Sequence, residues 1–140
     1  MKMSIKTIST NRKAHFKFHI IDKYEAGMVL VGSEVKSLRE SNVTIKESYV
    51  KFIKNELFTI GMHISEYSHA GYSSHDPVRF RKLLLNKKEL SKISRSIQEK
   101  GMTLIPLKLY FKDGKVKLEF ATAKGKRLWD KRQDIMKKDI

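Results

Sequence analysis

Residues 103–121 read TLIPLKLYFKDGKVKLEFA, two runs rich in β-branched, aromatic and other apolar residues on either side of Asp113-Gly114. An Asp-Gly pair between such runs is a strong hairpin turn, because it accepts the backbone twist that joins two antiparallel strands. Strands are therefore expected over residues 103–111 and 115–121. Pro106 lacks the N–H a ladder requires, so it marks either an edge strand or a bulge.

Working outward from this hairpin, residues 86–101 carry the signals of a helix. Asn86 with Glu89 resembles a capping box, Leu90, Ile93 and Ile97 form an apolar stripe, and Gly101 supplies the stop. Residues 44–64 alternate again on both sides of Lys54-Asn55-Glu56, which predicts a second hairpin with that tripeptide at its tip. HFKFHII, residues 15–21, reads as a strand in which Phe16 and Phe18 share a face and Lys17 points away. After the apolar residues 28–31, Ser33 is expected to cap a short helix through EVKSLR, with Val35 and Leu38 inward and Lys36 and Arg39 outward. SEYSHAGYSSHDPVRFRK, residues 65–82, is polar and punctuated by Gly71 and Pro77, as a long surface connection would be. The sum is a mainly β chain with short helices (α+β). An OB-like β-barrel is expected over residues 1–122, followed by a flexible basic C-terminal tail over residues 123–140.

The 140 residues include 30 Lys and Arg against 15 Asp and Glu, a formal charge of +15. Such an excess opposes compaction by self-repulsion, and a polyanion offsets it; each neutralised phosphate also releases condensed counterions. Cysteine is absent, which excludes disulfides and thiolate metal sites. No apolar run approaches the roughly 20 residues that span a bilayer, and MKMSIKTIST is too polar for a signal-peptide core. A cytoplasmic protein with no membrane partner is expected. His15 and His19 stand at i,i+4 but in a strand-like run, and His63, His69 and His75 read as solvated loop residues, so no metal is assigned. Nucleophile elbow, phosphate-cradling glycine loop and zincin helix are all missing from the sequence. Neither catalysis, cofactor nor small-molecule substrate is expected.

Basic residues recur at element boundaries: Asn11-Arg12-Lys13, Lys36 with Arg39, Arg79 to Lys82, and Lys124 to Arg127. One RNA-binding surface accounts for them better than four unrelated solvated faces. Arg grips phosphate with two parallel bonds, Lys acts as a point charge, and Gly125 between Lys124 and Lys126 lets backbone approach a phosphate. In the closing residues 123–140, AKGKRLWDKRQDIMKKDI, helical spacing gathers Leu128, Trp129, Ile135 and Met136 on one stripe beside Arg127, Lys131 and Arg132. So short a helix is marginal in water, and its ordering is expected to accompany partner binding. A basic ribosomal or rRNA-binding structural protein is the alternative reading.

Three blocks and a short motif carry a resemblance. EAGMVLVGSEVKSLRESNVTIKESYV (25–50), DPVRFRKLLLNKKEL (76–90) and AKGKRLWDKRQD (123–134) are very similar, in order, to blocks of the SsrA-binding protein family, also called small protein B (SmpB), and Asn11-Arg12-Lys13-Ala14 fits its N-terminal motif. The resemblance implies an OB-like barrel that acts as a monomer and binds transfer-messenger RNA. It clamps the tRNA-like domain of that RNA and enters stalled ribosomes with it for trans-translation. On the matching positions it implies RNA contacts at Asn11, Arg12, Lys13, Glu25 and Leu84 and at Lys124, Gly125, Lys126 and Arg127. Lys36, Arg39, Arg81 and Lys82 join them as neighbouring basic residues. Asp130, Lys131 and Arg132 fall on the tail motif implied to act in the decoding centre and empty mRNA channel. Family members usually continue for a further basic stretch beyond the position of Ile140, so a tail shorter than the family's is expected, with RNA binding retained.

Overall fold

The computed structural model describes residues 4–67 and 74–126. Its elements are β1 (Ile5–Thr10), α1 (Ala14–Lys17), β2 (Phe18–Met28), α2 (Gly32–Arg39), β3 (Val43–Thr44), β4 (Tyr49–Ile53), β5 (Glu56–Ile60), β6 (His63–Ile64), β7 (Arg81–Leu84), α3 (Lys87–Lys100), β8 (Thr103–Lys112) and β9 (Lys115–Gly125). The chain is thus mainly β with three short helices, a small α+β fold. Seven strands form one sheet in the order β1-β8-β9-β2-β7-β5-β4, and β3 pairs with β6 alone. β1 and β4 are the sheet's two edges, so it does not close by hydrogen bonding.

The two strongest hairpins form where local chemistry demands them. Asp113 and Gly114 take φ of 50° and 80°, and Lys54 and Asn55 take 50° and 67°, the paired left-handed conformations of a two-residue type I′ turn. Their strands close with Lys112 opposite Lys115 and Ile53 opposite Glu56. In α3, Asn86 Oδ1 accepts the Glu89 N–H at 2.8 Å, and Gly101 ends the helix at φ 61° with its N–H on the Ile97 carbonyl. That left-handed stop is one a β-carbon would penalise.

The core lies on one side of the sheet. Leu38 from α2, Ile93 from α3 and Leu57, Leu104, Leu109, Leu118 and Phe120 from the strands are essentially inaccessible to solvent there. Tyr24 and Phe120 stack with centroids 5.7 Å apart. On the opposite, outer side, Ala14 of α1 covers Ile105, Leu107, Ala121 and Ala123 in a second, smaller cluster. Two bulges let the same strands serve both sides. Leu107 is an extra residue in β8 between the Pro106–Phe120 and Lys108–Glu119 pairs, and Ile21 is extra in β2 between Ile20–Ala123 and Asp22–Thr122. Pro106 therefore sits at a bulge in an inner strand, not on an edge.

Several expectations change. Residues 14–17 form a helical turn rather than the start of a strand, because Ala14 docks onto the second cluster. Residues 5–10 are a strand, held by pairing with β8. β9 runs through Ala123, Lys124 and Gly125, three residues past the barrel limit expected at 122. α2 starts after Val31, whose N–H donates to Glu34 Oε1 at 2.9 Å, and Ser33 is not its cap. The Ser33 hydroxyl instead donates to Nδ1 of His75 at 2.8 Å, while His75 Nε2–H donates to the Ile64 carbonyl at 2.8 Å. His75 is buried, not a solvated loop residue.

Candidate nucleic-acid interface

Directly paired residues in adjacent strands point to the same side, so the register maps the sheet's outer face. Beyond the small cluster under α1, that face carries Lys108, Tyr110 and Lys112 of β8, Lys115, Lys117 and Glu119 of β9, and Lys23, Glu25 and Gly27 of β2. Gly27 pairs with Leu84 of β7, which brings Leu84 onto the same face, half exposed. Lys112 lies directly opposite Lys115. Like charges so placed destabilise a sheet, and Glu25 offsets the one on Lys112.

Glu25 stands among these cations. Its Oε2 accepts a hydrogen bond from the Tyr110 hydroxyl, and Lys112 Nζ lies 3.2 Å from Oε1. The Tyr110 bond, helped by Lys112 and Lys117 and opposed by burial, holds the Glu25 carboxyl below its usual range; burial and the same bond push the Tyr110 hydroxyl up. Lys108 Nζ lies over the Tyr110 ring, 5.6 Å from its centroid. The carboxylate thus orders a tyrosine and a lysine on the face. This geometry differs from an acceptor held ready for an incoming base or sugar.

The backbone of Gly27 forms a notch in the face. A β-carbon there would lie 3.6 Å from the Leu84 Cβ and 3.7 Å from Lys117 Nζ, so an aliphatic wall and an ammonium flank bare main chain.

A second basic group occupies the far end of the β2–β9 pair. Asn11 donates its backbone N–H to the Leu107 carbonyl at 2.8 Å and its side-chain amide to the Pro106 carbonyl at 3.0 Å. Asn11 therefore fastens the turn bearing exposed Arg12 and Lys13 onto the β8 bulge. Lys126 N–H donates to the Lys17 carbonyl at 2.9 Å, and Gly125 pairs with Phe18, so Lys124, Gly125 and Lys126 lie beside α1. The space where a Gly125 β-carbon would point is open. Phe18 and Glu25 are seven positions apart in β2, about 23 Å at the rise of a strand. Lys108, opposite Thr10 just before Asn11, lies between the two groups.

The remaining expected residues do not join this face. Arg81 is fully buried, which corrects its assignment to an RNA-binding surface: its Nε donates to Glu34 Oε2 at 2.5 Å and its Nη1 to the Met62 carbonyl at 2.6 Å. Burial pushes the Glu34 carboxyl up, but bonds from Arg79, the Val31 N–H and Arg81 outweigh it and hold the group below its ordinary value. Lys82 points outward and pairs with Glu56 at 2.6 Å, both about half exposed. Lys36 and Arg39 are exposed on α2, with Lys36 Nζ over the Tyr67 ring at 5.6 Å. Arg81, Lys82, Lys36 and Arg39 thus lie apart from the basic groups of the sheet face rather than forming one surface with them. Arg127, Asp130, Lys131 and Arg132 lie outside the described residues.

Lys108, Lys112, Lys115 and Lys117 were not among the residues singled out from the sequence. Their signal was available in the Asp113-Gly114 hairpin, whose two-residue turn fixes the register and hence the shared side.

The family model described as "SmpB protein" matches residues 8–140. The chain belongs to the SmpB protein family. It is 52% identical over 132 residues to the SsrA-binding protein of Syntrophobacter fumaroxidans, covering 94% of this chain and 82% of that SmpB relative. With the SsrA-binding protein of Persephonella marina it shares 49% identity over 138 residues, 99% of this chain and 91% of the relative. A solved SmpB structure described as "tmRNA-SmpB: a journey to the center of the bacterial ribosome" superposes with a TM-score of 0.70 at 39% identity, covering 91% of this chain and 93% of that one.

Proposed function

We propose that this SmpB family member binds the tRNA-like domain of transfer-messenger RNA and delivers it to stalled bacterial ribosomes for trans-translation. The observation that carries the reading is the row Lys112, Lys115 and Lys117 on the sheet face that also presents Glu25 and Leu84, in a chain whose relatives are named for SsrA binding. Lysines alternating along strands stand about 7 Å apart, a spacing that follows a phosphate backbone. Arg12 and Lys13 add positive charge beside α1 at the other end of the face, where Gly125, between Lys124 and Lys126, leaves room for backbone approach. Asn11 acts by holding that end in shape.

The role is recognition without catalysis, performed by a monomer in the cytoplasm. No helix among the described residues is long and apolar enough to cross a membrane. We read the sheet as an OB-like barrel left open between β4 and β8, a reading supported by Tyr49, Val50, Thr103 and Leu104 lining the gap between these strands. The tail that follows, with Arg127, Asp130, Lys131 and Arg132, is assigned to the ribosome's decoding region and mRNA channel.

Gel-shift competition between transfer-messenger RNA and an ordinary tRNA tests the proposal. The chain should prefer the former and lose affinity steeply with salt. If about five phosphates are contacted, the log–log slope is roughly −3.5 to −4.5. Equal affinity for the two RNAs would overturn the assigned partner, and a flat salt response would overturn the electrostatic track.

A further inference from the structure

Five of the eight large apolar side chains exposed among the described residues, Val29, Val31, Val78, Phe80 and Leu84, come from two segments lying side by side. β2 and β7 pair through Gly27–Leu84 and Met28–Leu83, and the Val29 N–H continues the contact to the Lys82 carbonyl at 3.0 Å. Val31 and Phe80 each lie two residues beyond that contact, on adjoining segments. Arg81 and Leu83 are buried, whereas Leu84 and Lys82 turn outward. The same alternation carried back by two residues puts Phe80, which is 51% exposed, on the outer side. Lys82, paired with Glu56, stands on the same side between Phe80 and Leu84, so the exposed apolar side chains reach the Gly27 notch and the lysine face past that lysine.

A folded chain gains nothing by keeping an aromatic ring half in water, and a contiguous exposed apolar patch marks an interaction site. Its border selects the occupant. Lys117 Nζ overhangs the notch opposite the Leu84 side chain, so whatever covers the strip also meets an ammonium. An apolar protein segment would desolvate that charge without a counter-ion, at substantial cost. An unpaired nucleotide brings a flat base with apolar faces and, one sugar away, a phosphate.

We propose that Phe80, with Val31 beside it, forms a shelf on which an unpaired base of the bound RNA stacks, while Lys117, near Leu84 about 13 Å along the strand, takes a phosphate further along the same backbone. This rests on the RNA-binding role proposed above and adds to it a contact read by shape rather than by charge.

The test uses the full chain and a tRNA-like domain carrying 2-aminopurine at unpaired loop adenines. Binding should quench the fluorophore at one position. Stacking contacts are worth about 5- to 150-fold in affinity when the aromatic is cut to alanine. Phe80→Ala should lose affinity within that range together with the quenching, and Phe80→Trp should restore both. The salt slope should not change in either variant, since no phosphate contact is removed. As Phe80 is half exposed, the variants should melt with the parent. Unchanged affinity in Phe80→Ala, or lost affinity with quenching intact, overturns the shelf. So does a variant that binds RNA normally but associates weakly with ribosomes, which would give the strip a protein occupant. A parent chain that binds no RNA removes this proposal and the proposed function together; a normal parent with an indifferent Phe80→Ala removes the shelf alone.

Discussion

Arg81 Nε donates to Glu34 Oε2 at 2.5 Å with both side chains withdrawn from solvent, fixing the first turn of α2 to β7. Arg79 and the Val31 N–H satisfy the other carboxylate oxygen, and Arg81 reaches on to the carbonyls of Met62 and Pro77. Removing the arginine takes the buried donor from Glu34 Oε2 and from the Met62 carbonyl, while the Pro77 carbonyl keeps the Ile64 N–H. Arg81→Ala should therefore destabilise the fold by about 3–5 kcal/mol, read from chemical denaturation. A loss below about 1 kcal/mol would mean that the cation is not holding these segments together.

The same carboxylate makes stability pH-dependent. Glu34 is held below its unfolded value, so its contribution is fully present above that unfolded value and is lost as pH falls through the lower folded one. Acidification below about pH 4 should steadily reduce the denaturation midpoint. Glu34→Gln, less stable at neutral pH, should show a weaker dependence in the same window. Parallel curves for the two proteins would assign the acid sensitivity elsewhere.

Lys112 and Lys117 should behave as phosphate contacts. Replacing either by alanine should weaken binding to all RNAs alike and make the log–log salt slope shallower by about 0.7–0.9 per residue. Lys36→Ala, on α2 and away from this face, should change the slope least. The order is checked by titrating the variants at several salt concentrations.

Glu25 and Tyr110 should act as one unit. Glu25→Ala frees Lys112 and Tyr110 together, and Tyr110→Phe breaks the shared hydrogen bond while keeping the ring under Lys108. Both should erode the preference for transfer-messenger RNA over tRNA, and the double variant should be no worse than Glu25→Ala. Additive losses would indicate that Glu25 contacts RNA directly.

What the sequence made legible was set by nearest-neighbour chemistry. Asp113-Gly114, Lys54-Asn55, Asn86 and Gly101 dictate their backbone conformations locally, and the hairpins and α3 follow. Residues 14–17 alternate as convincingly as a strand, and only docking of Ala14 on Ile105 and Leu107 decides for a helix. β1 depends on a partner about a hundred positions away. Arg81 was read as a surface charge because its mate, Glu34, is distant in sequence and an isolated arginine carries no sign of being buried. Glu25 and Leu84 came from a family pattern. The lysines beside them were legible in principle, since the hairpin register that places them was already recognised.

The bulges at Leu107 and Ile21 give strand length a meaning separate from composition. Pro106 lies opposite Phe120 and Lys108 opposite Glu119, neighbours in β9, so the surplus residue is inserted without changing the side that either takes. Leu107 instead carries an outward side chain beneath Ala14 and a carbonyl that accepts the Asn11 N–H. Deleting it would leave Lys108, Tyr110 and Lys112 outward and Leu109 inward, because the flanking pairs then alternate without a break. A one-residue deletion there should spare the β8–β9 pairing and release the turn that carries Arg12 and Lys13.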